Sequence, residues 1–133
     1  MVYSAEAIRA EKRQRMNGQR RIDHAAPPAY GEFLAGKRVI VVGPADYLNG
    51  RGLGEWIDSH DVVVRLNWGV PVPEGKAGDY GSRTDVLYKR LLKLGLLDHI
   101  DVDEYERAGV QWIVAVASTE KPGNRAHMAA MVG

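Results

Sequence analysis

The glycine-rich stretch that follows the apolar run at residues 39–42 is the clearest candidate for ligand binding. Gly43 ends that run, and the string GRGLG at residues 50–54 opens a segment with helical character. Glycines allow backbone N–H groups to approach a phosphate closely, and the carboxyl end of a buried parallel strand is where such ligands bind. The spacing fits neither a dinucleotide fingerprint nor a P-loop. The glycines alone therefore indicate a phosphate site no more strongly than a tight strand–helix turn.

The polar string DSHD at residues 58–61 offers a second candidate, either a proton relay or a metal site. It falls between a predicted helix and a predicted strand, where side chains routinely bond to local backbone groups, and we favour that structural role. The DVD string at residues 101–103 has the form of a manganese-binding motif. Asp101 and Glu104, however, have the spacing of a capping box. We therefore expect no metal.

Arg65 and Asn67 stand at the end of a second apolar run, at residues 62–66. An arginine there pairs either with a ligand phosphate or with an internal carboxylate such as Asp61, and we favour the internal pair slightly. Asn67 either begins the following loop or hydrogen-bonds a ligand at the strand end. Trp68, beside it, is the tryptophan best placed to cover a base or a sugar.

Strands and helices are predicted to alternate along the chain. Three apolar runs, at residues 39–42, 62–66 and 111–116, predict buried strands, the first of them buried on both faces, and a further short strand is predicted at residues 85–88. Helices are expected at residues 4–18 (capped by Ser4 and stopped by Gly18), 51–59, 89–97 and 101–108. The prolines predict a linker at residues 24–31 and a Gly/Pro-rich loop at 69–81. The fold class is therefore α/β, a mostly parallel Rossmann-like sheet with flanking helices.

Composition restricts the class of protein. A chain of 133 residues suits one compact domain, and the absence of cysteine excludes disulfides and a thiolate nucleophile. No apolar run approaches the roughly 20 residues of a membrane span, and no signal peptide is recognisable, so we expect a cytoplasmic protein without a membrane partner. Residues 1–21 carry six basic and two acidic side chains. We interpret them as a solvated helix, with nucleic-acid binding as the less favoured alternative.

Five strings in a fixed order resemble the large sialyl motif of the sialyltransferases, glycosyltransferase family 29. They cover about residues 38–88, as GPADYL at 43–48, GRGLG at 50–54, IDSHD at 57–61, VRLN at 64–67 and DYGSRT at 79–84. The resemblance implies the donor-binding part of a GT-A-like sheet that recognises a CMP-sugar. It also implies transfer of sialic acid from CMP-sialic acid to a glycan hydroxyl with inversion. The implied partners are a nucleotide-sugar donor and a glycan acceptor, with no cofactor and no metal.

The resemblance also implies a set of donor-binding residues. With Trp68 added from its position, the predicted donor site comprises Gly43, Ala45, Asp46, Asn67, Trp68, Ser82, Arg83 and Thr84. Pro44 stands where the family has an asparagine that contacts the donor phosphate, and Val39 stands where the family motif has a cysteine. The loop at residues 44–46 is therefore the weakest part of the match.

The catalytic end of the family has no counterpart in this sequence. The family's general base is a histidine in a C-terminal motif, and neither His99 nor His127 lies in such a motif, so the catalytic residue is unassigned. We expect an incomplete N-terminal half, with a basic helix and Pro-rich linker at residues 1–31 and a truncated donor-binding α/β domain at 32–133. Two functions stay open: the donor-binding portion of a sialyltransferase-like enzyme, inactive alone, and a non-catalytic nucleotide-binding module. Acceptor, donor sugar and oligomeric state are unassigned.

Overall fold

A five-stranded sheet forms the centre of the chain. The computed structural model describes residues 2–16, 28–67, 70–91 and 100–117. The strands are β1 (Val2–Tyr3), β2 (Val39–Val42), β3 (Val62–Leu66), β4 (Val86–Leu91) and β5 (Trp112–Ala117). The helices are α1 (Ala5–Met16), α2 (Pro28–Leu34), α3 (Gly54–Asp58), α4 (Ala77–Tyr80) and α5 (Val102–Arg107), with a 3₁₀ turn at Asp46–Leu48. This architecture confirms the α/β class.

The strand order is β1-β5-β4-β3-β2, and the sheet is mixed. The strands from β2 to β5 pair in parallel, whereas β1 pairs antiparallel with β5. The expectation of a mostly parallel sheet is corrected to a mixed sheet, because the two-residue strand β1 joins the edge of the sheet beside β5 and runs antiparallel to it. The Rossmann-like and GT-A-like description stays a prediction, since the parallel strands follow one another in chain order without the reversal that marks a doubly wound sheet.

Alternating side chains of the strands form apolar layers on both faces of the sheet. One face carries Leu87 and Ile113 beneath α1 and α5, and continues to Val63 beneath Ile57 of α3. The opposite face packs Val62, Val64, Val86 and Val114 against Tyr30 of α2. Connecting helices on a single face place successive parallel strands side by side, which agrees with the observed strand order.

Strand β2 is exposed on one face, which contradicts the prediction that it is buried on both. Val39 and Val41 are 42% and 60% exposed, whereas Val42 lies in the core. The run VIVV has the composition of an interior strand, but β2 is at the edge of the described sheet. Helix α2 covers the neighbouring strands on that face, and Val39 and Val41 remain beyond it.

Helix α2 replaces part of the predicted linker. Pro28 begins the helix, and Tyr30 stacks on Trp112 with ring centroids 5.5 Å apart. The linker prediction is wrong from residue 28 onward, because the first helical position needs no N–H donor and therefore accepts proline. Residues 24–27 lie outside the described part.

Helix α1 is packed on the sheet rather than solvated all round. The Ser4 hydroxyl accepts a hydrogen bond from the N–H of Ala7 at 3.2 Å, which confirms the predicted cap. Ile8 is fully buried in the core. Arg9 forms ion pairs with Asp103 (2.7 Å) and Glu106 (3.0 Å) of α5. The interpretation of α1 as a solvated helix is therefore wrong for the face that carries Ile8 and Arg9. Gly18, the predicted stop of the helix, lies outside the described residues. The division of the chain into two parts at residue 31 stays a prediction.

The remaining elements agree in part with the sequence. Strand β3 has the predicted bounds, and the Asp101 carboxylate accepts a hydrogen bond from the N–H of Glu104 at 3.0 Å, which confirms the cap of α5. Strand β4 continues to Leu91, so the helix predicted from residue 89 is wrong over 89–91, and residues 92–99 lie outside the described ranges. In the part of the chain that the structure describes, no helix has the length and apolarity to cross a bilayer.

Candidate functional site

A cavity of about 250 Å³ opens at the carboxyl edge of β2 and β3. Its lining residues come from the end of β2 and the loop after it, from the carboxyl-terminal part of β3, and from α4 and the segment that leads into it. Those used below are Gly43, Pro44, Asp46, Asn49, Arg65, Lys76 and Tyr80. The volume lies just below the range of about 300–1,000 Å³ that is usual for small-molecule sites. The carboxyl edge of parallel strands is also where α/β sheets bind ligands.

Arg65 is the buried cation of this cavity. The residue is 3% exposed. Its Nε donates to the hydroxyl of Thr84 at 2.9 Å and its Nη2 donates to the carbonyl oxygens of Tyr80 and Arg83, both at 2.8 Å. These bonds fix the plane of the guanidinium between β3 and the chain around α4. Within the described residues, none of its hydrogen bonds uses Nη1.

The charge of Arg65 has no carboxylate in ion-pair contact among the described residues. The internal pair with Asp61 that the sequence favoured is wrong, because Asp61 binds the backbone N–H (2.9 Å) and guanidinium (3.7 Å) of Arg38. Burial lowers the pKa of Arg65, and the more distant charge of Asp58 opposes this effect only in part. A buried charge is costly unless it is paired. The neutral acceptors around Arg65 therefore leave it suited to bind an anion from the cavity.

Asp79 holds the glycine-rich loop beside the cavity. Its two carboxylate oxygens accept hydrogen bonds from the N–H groups of Gly50 and Gly52, each at 2.8 Å. These two bonds, from Gly50 first and Gly52 second, lower the pKa of Asp79. The backbone donors that the sequence offered to a phosphate are thus used by an internal carboxylate. Asn49, which precedes this loop, lines the cavity, but residues 50–54 do not, so the loop supports the site rather than cradling a phosphate.

Asp58 holds the segment before β4 in the same way. Its carboxylate accepts hydrogen bonds from the N–H of Ser82 (2.9 Å), the hydroxyl of Ser82 (2.9 Å) and the N–H of Arg83 (3.1 Å). Partial burial alone would raise the pKa of Asp58, but these donors outweigh it and the pKa is lowered. Arg83 donates in return to the carbonyl oxygens of Asp58 (2.8 Å) and His60 (2.6 Å). Together these bonds tie the end of α3 to the start of β4.

His60 lies at the amino end of β3, at the opposite edge of the sheet from the cavity. Its Nδ1 is 2.9 Å from the carbonyl oxygen of Trp56, and the two rings contact edge to face with centroids 4.9 Å apart. The structural interpretation of residues 58–61 is confirmed, although, of the three titratable side chains there, only His60 bonds to a nearby backbone group, the carbonyl of Trp56. Asp61 and Asp58 instead accept hydrogen bonds from the backbone N–H groups of Arg38 and Arg83, which are distant in the sequence.

The family model of glycosyltransferase family 29 (sialyltransferase) matches residues 17–91, more than half of the 133 residues. The chain belongs to glycosyltransferase family 29. No curated protein and no solved structure matches the chain. The recognition made from the five strings is confirmed, and the match extends beyond both ends of the stretch that carried it.

The structure places only part of the predicted family 29 donor site at the cavity. Gly43 and Asp46 line it, and the carbonyl oxygen of Ala45 accepts a hydrogen bond from the hydroxyl of Tyr80 at 3.2 Å. Ser82 and Arg83 form hydrogen bonds with Asp58 instead. Thr84 does not line the cavity, but its hydroxyl accepts a hydrogen bond from Arg65, which does. Their role as donor-binding residues stays a prediction.

Asn67 occupies a strained position at the end of β3, and Trp68 lies outside the described residues. Asn67 adopts a left-handed backbone conformation (φ 58°), which asparagine accepts more readily than most residues. Its side-chain Oδ1 accepts a hydrogen bond from the N–H of Arg90 at 2.8 Å. The oxygen thus secures β4 to β3. Contact of this amide with a nucleotide stays a prediction.

Asn49 and Lys76 line the cavity although the sequence did not single them out. Asn49 and Lys76 face each other across the cavity wall, and the Lys76 ammonium donates to Asn49 Oδ1 at 2.8 Å. Both stand in loops rich in glycine or proline, where a single lysine or asparagine carries no periodic signal. Only the pairing of the loop after β2 with the loop before α4 brings them together.

Acid is expected to destabilise this family 29 chain through Asp58, Asp61 and Asp79. Each has a lowered pKa in the folded state, so the unfolded chain binds protons more readily. Their stabilising contribution is complete above the ordinary aspartate pKa of about 3.9 and is lost as the pH falls through the folded values. Urea unfolding midpoints between pH 7 and pH 3 measure this loss. Asp58→Asn should lower the midpoint at pH 7 and show a shallower decline below pH 4; a decline as steep as that of the wild type would remove Asp58 from the explanation.

Proposed function

We propose that this chain binds the CMP-sugar donor of a sialyltransferase-like reaction in the cavity at the carboxyl edge of β2 and β3. Family membership supports a glycosyltransferase. The observation that carries the proposal is Arg65, a buried cation that borders the cavity without a carboxylate partner among the described residues. A guanidinium in this environment matches a phosphate in charge and in hydrogen-bond geometry.

Arg65 would serve both binding and bond cleavage. In a CMP-sugar the phosphate is a diester with one negative charge. When the bond between the anomeric carbon and the phosphate oxygen breaks, CMP leaves as a monoester and the phosphate gains a second negative charge. An interaction that strengthens as charge develops lowers the barrier rather than merely tightening substrate binding. Arg65 is held by Thr84, Tyr80 and Arg83, so it needs little reorganisation during that step.

The acceptors around Arg65 that keep the guanidinium in place are themselves held by the surrounding chain. The carbonyl of Tyr80 belongs to α4, and α4 is itself fixed by the two hydrogen bonds from the glycine loop to Asp79. The segment before β4 is fixed by Asp58. The motif strings of the family thus serve here mainly to position the cavity wall, and five of their residues line it: Gly43, Pro44, Asp46, Arg65 and Tyr80.

A second function, nucleotide binding without transfer, is favoured by the position of His60. Transfer requires a general base within hydrogen-bond reach of the acceptor hydroxyl. Among the residues that the structure describes, His60 is the sole histidine, and it lies at the edge of the sheet remote from the cavity. Incubation with CMP-sialic acid and lactose distinguishes the two functions: release of CMP with formation of sialyllactose supports the enzyme, whereas binding without release supports the module.

Calorimetric titration of the chain with CMP and with CMP-sialic acid tests the donor site. Saturable one-to-one binding of both is expected, with UMP and GMP as controls for selection of the base. Binding of neither cytidine nucleotide would contradict the proposal.

A further inference from the structure

We infer that Lys76 binds a second anionic group of the donor, the carboxylate of an acidic sugar, while Arg65 takes the phosphate. This inference rests on the proposed function. It concerns the selection between acidic and neutral sugars, which neither the fold nor the phosphate contact explains.

The ammonium of Lys76 is only partly used by the protein. Lys76 immediately precedes α4 and is exposed at the cavity wall. One hydrogen bond, 2.8 Å to Asn49 Oδ1, holds it at the cavity. An ammonium has three donors. Among the described residues no further acceptor and no ion pair is found for it.

The neighbouring carboxylate is already satisfied. Asp79 is near enough for the charge of Lys76 to help lower its pKa, after the larger effect of the N–H groups of Gly50 and Gly52. Both Asp79 oxygens accept those N–H bonds, and Lys76 does not form an ion pair with it. The lysine is therefore positioned by an amide oxygen and keeps its charge directed to a ligand.

The cavity holds two cations at different depths. Arg65 is buried in β3, Lys76 is exposed before α4, and Asp46 is the acidic residue among the described lining residues. In CMP-sialic acid the anomeric carbon carries both the phosphate oxygen and the carboxylate, so the two anionic groups are neighbours. Buried Arg65 for the phosphate and exposed Lys76 for the carboxylate match this arrangement. The nucleotide of a neutral sugar would bind Arg65 through its phosphate and leave Lys76 without a ligand group.

The test compares CMP, CMP-sialic acid and the methyl ester of its sugar carboxylate, by calorimetry on the wild type and on Lys76→Met. In the wild type, esterification should weaken binding about 5- to 10-fold, because a charge-assisted hydrogen bond is lost. In Lys76→Met the acid and the ester should bind equally, and the affinity for CMP should change less than about twofold. Lys76→Arg, which keeps the charge, should restore most of the preference for the acid.

Two results would overturn the inference while leaving the proposed function standing. One is an equal loss of affinity for CMP and CMP-sialic acid in Lys76→Met. The other is a preference for the acid over the ester that survives in that variant. Failure of the wild type to bind CMP would instead contradict the proposed function. Since Lys76 is exposed, its replacement should leave the thermal unfolding midpoint unchanged, and this measurement serves as the folding control.

Discussion

Arg65→Met is expected to weaken CMP binding about 10- to 100-fold and to leave cytidine binding within about twofold. Methionine keeps much of the volume of the arginine stem but removes the charge that would pair with the phosphate. Cytidine lacks the phosphate, so it does not use that charge. Calorimetric titration with both ligands measures the difference directly.

The control for Arg65→Met must separate charge from structure, because Arg65 also binds Thr84, Tyr80 and Arg83. Thr84→Val removes one of these bonds and keeps the guanidinium. If charge is what matters, Thr84→Val loses some stability and less than about fivefold in CMP affinity. Equal losses for CMP and cytidine in Arg65→Met would show that the variant disturbs the cavity as a whole, and the phosphate role would be wrong.

Gly54→Ala is expected to destabilise the fold by about 3 kcal/mol and to lower the thermal midpoint by about 10 °C. A Cβ at Gly54 would collide with the carbonyl oxygen of Ala77 and would lie 2.7 Å from that of Gly78. Both obstacles are backbone atoms, so α3 and α4 must move apart. Helix α4 follows Lys76 and carries Asp79, and CMP affinity should therefore fall with stability.

Gly31→Ala is the matched control for this substitution. Gly31 lies within α2, and a Cβ there meets no atom within 4 Å. Alanine is the better helix former, so this variant should be neutral or stabilised by up to about 1 kcal/mol. Thermal denaturation of both variants measures the contrast. Equal midpoints for Gly54→Ala and Gly31→Ala would mean that α3 and α4 do not pack as closely as described.

The sequence predicted the bounds of β2, β3 and β5 to within one residue, but it ended β4 too early and gave the wrong burial for the edge strand β2. Strand β3 is bounded by polar residues and lies between two other strands, so its composition and its burial agree. Strand β2 has the same composition, but its edge position depends on the order of the strands, which the run VIVV does not encode. Strand β1 has two residues, too few for any periodicity. Helix α2 was missed because Pro28 was taken only as a helix breaker.

The sequence identified the motif, but it did not show which of its residues face the cavity and which bind other groups of the protein. The resemblance implies that Ser82, Arg83 and Thr84 contact the nucleotide, yet in the structure all three form bonds within the protein. A recurring string shows that residues are required without showing whether they touch a ligand or hold the backbone. The two alternatives for Arg65 depended on whether a carboxylate stood near, and only the structure shows that Asp61 is engaged by Arg38.

A crystal structure of the chain with CMP tests the central claim most directly. We predict that the phosphate lies in the cavity with an oxygen within hydrogen-bond distance of the Arg65 guanidinium, about 2.7–2.9 Å. A phosphate bound by the glycine loop in place of the Asp79 carboxylate, or at any site away from Arg65, would contradict it.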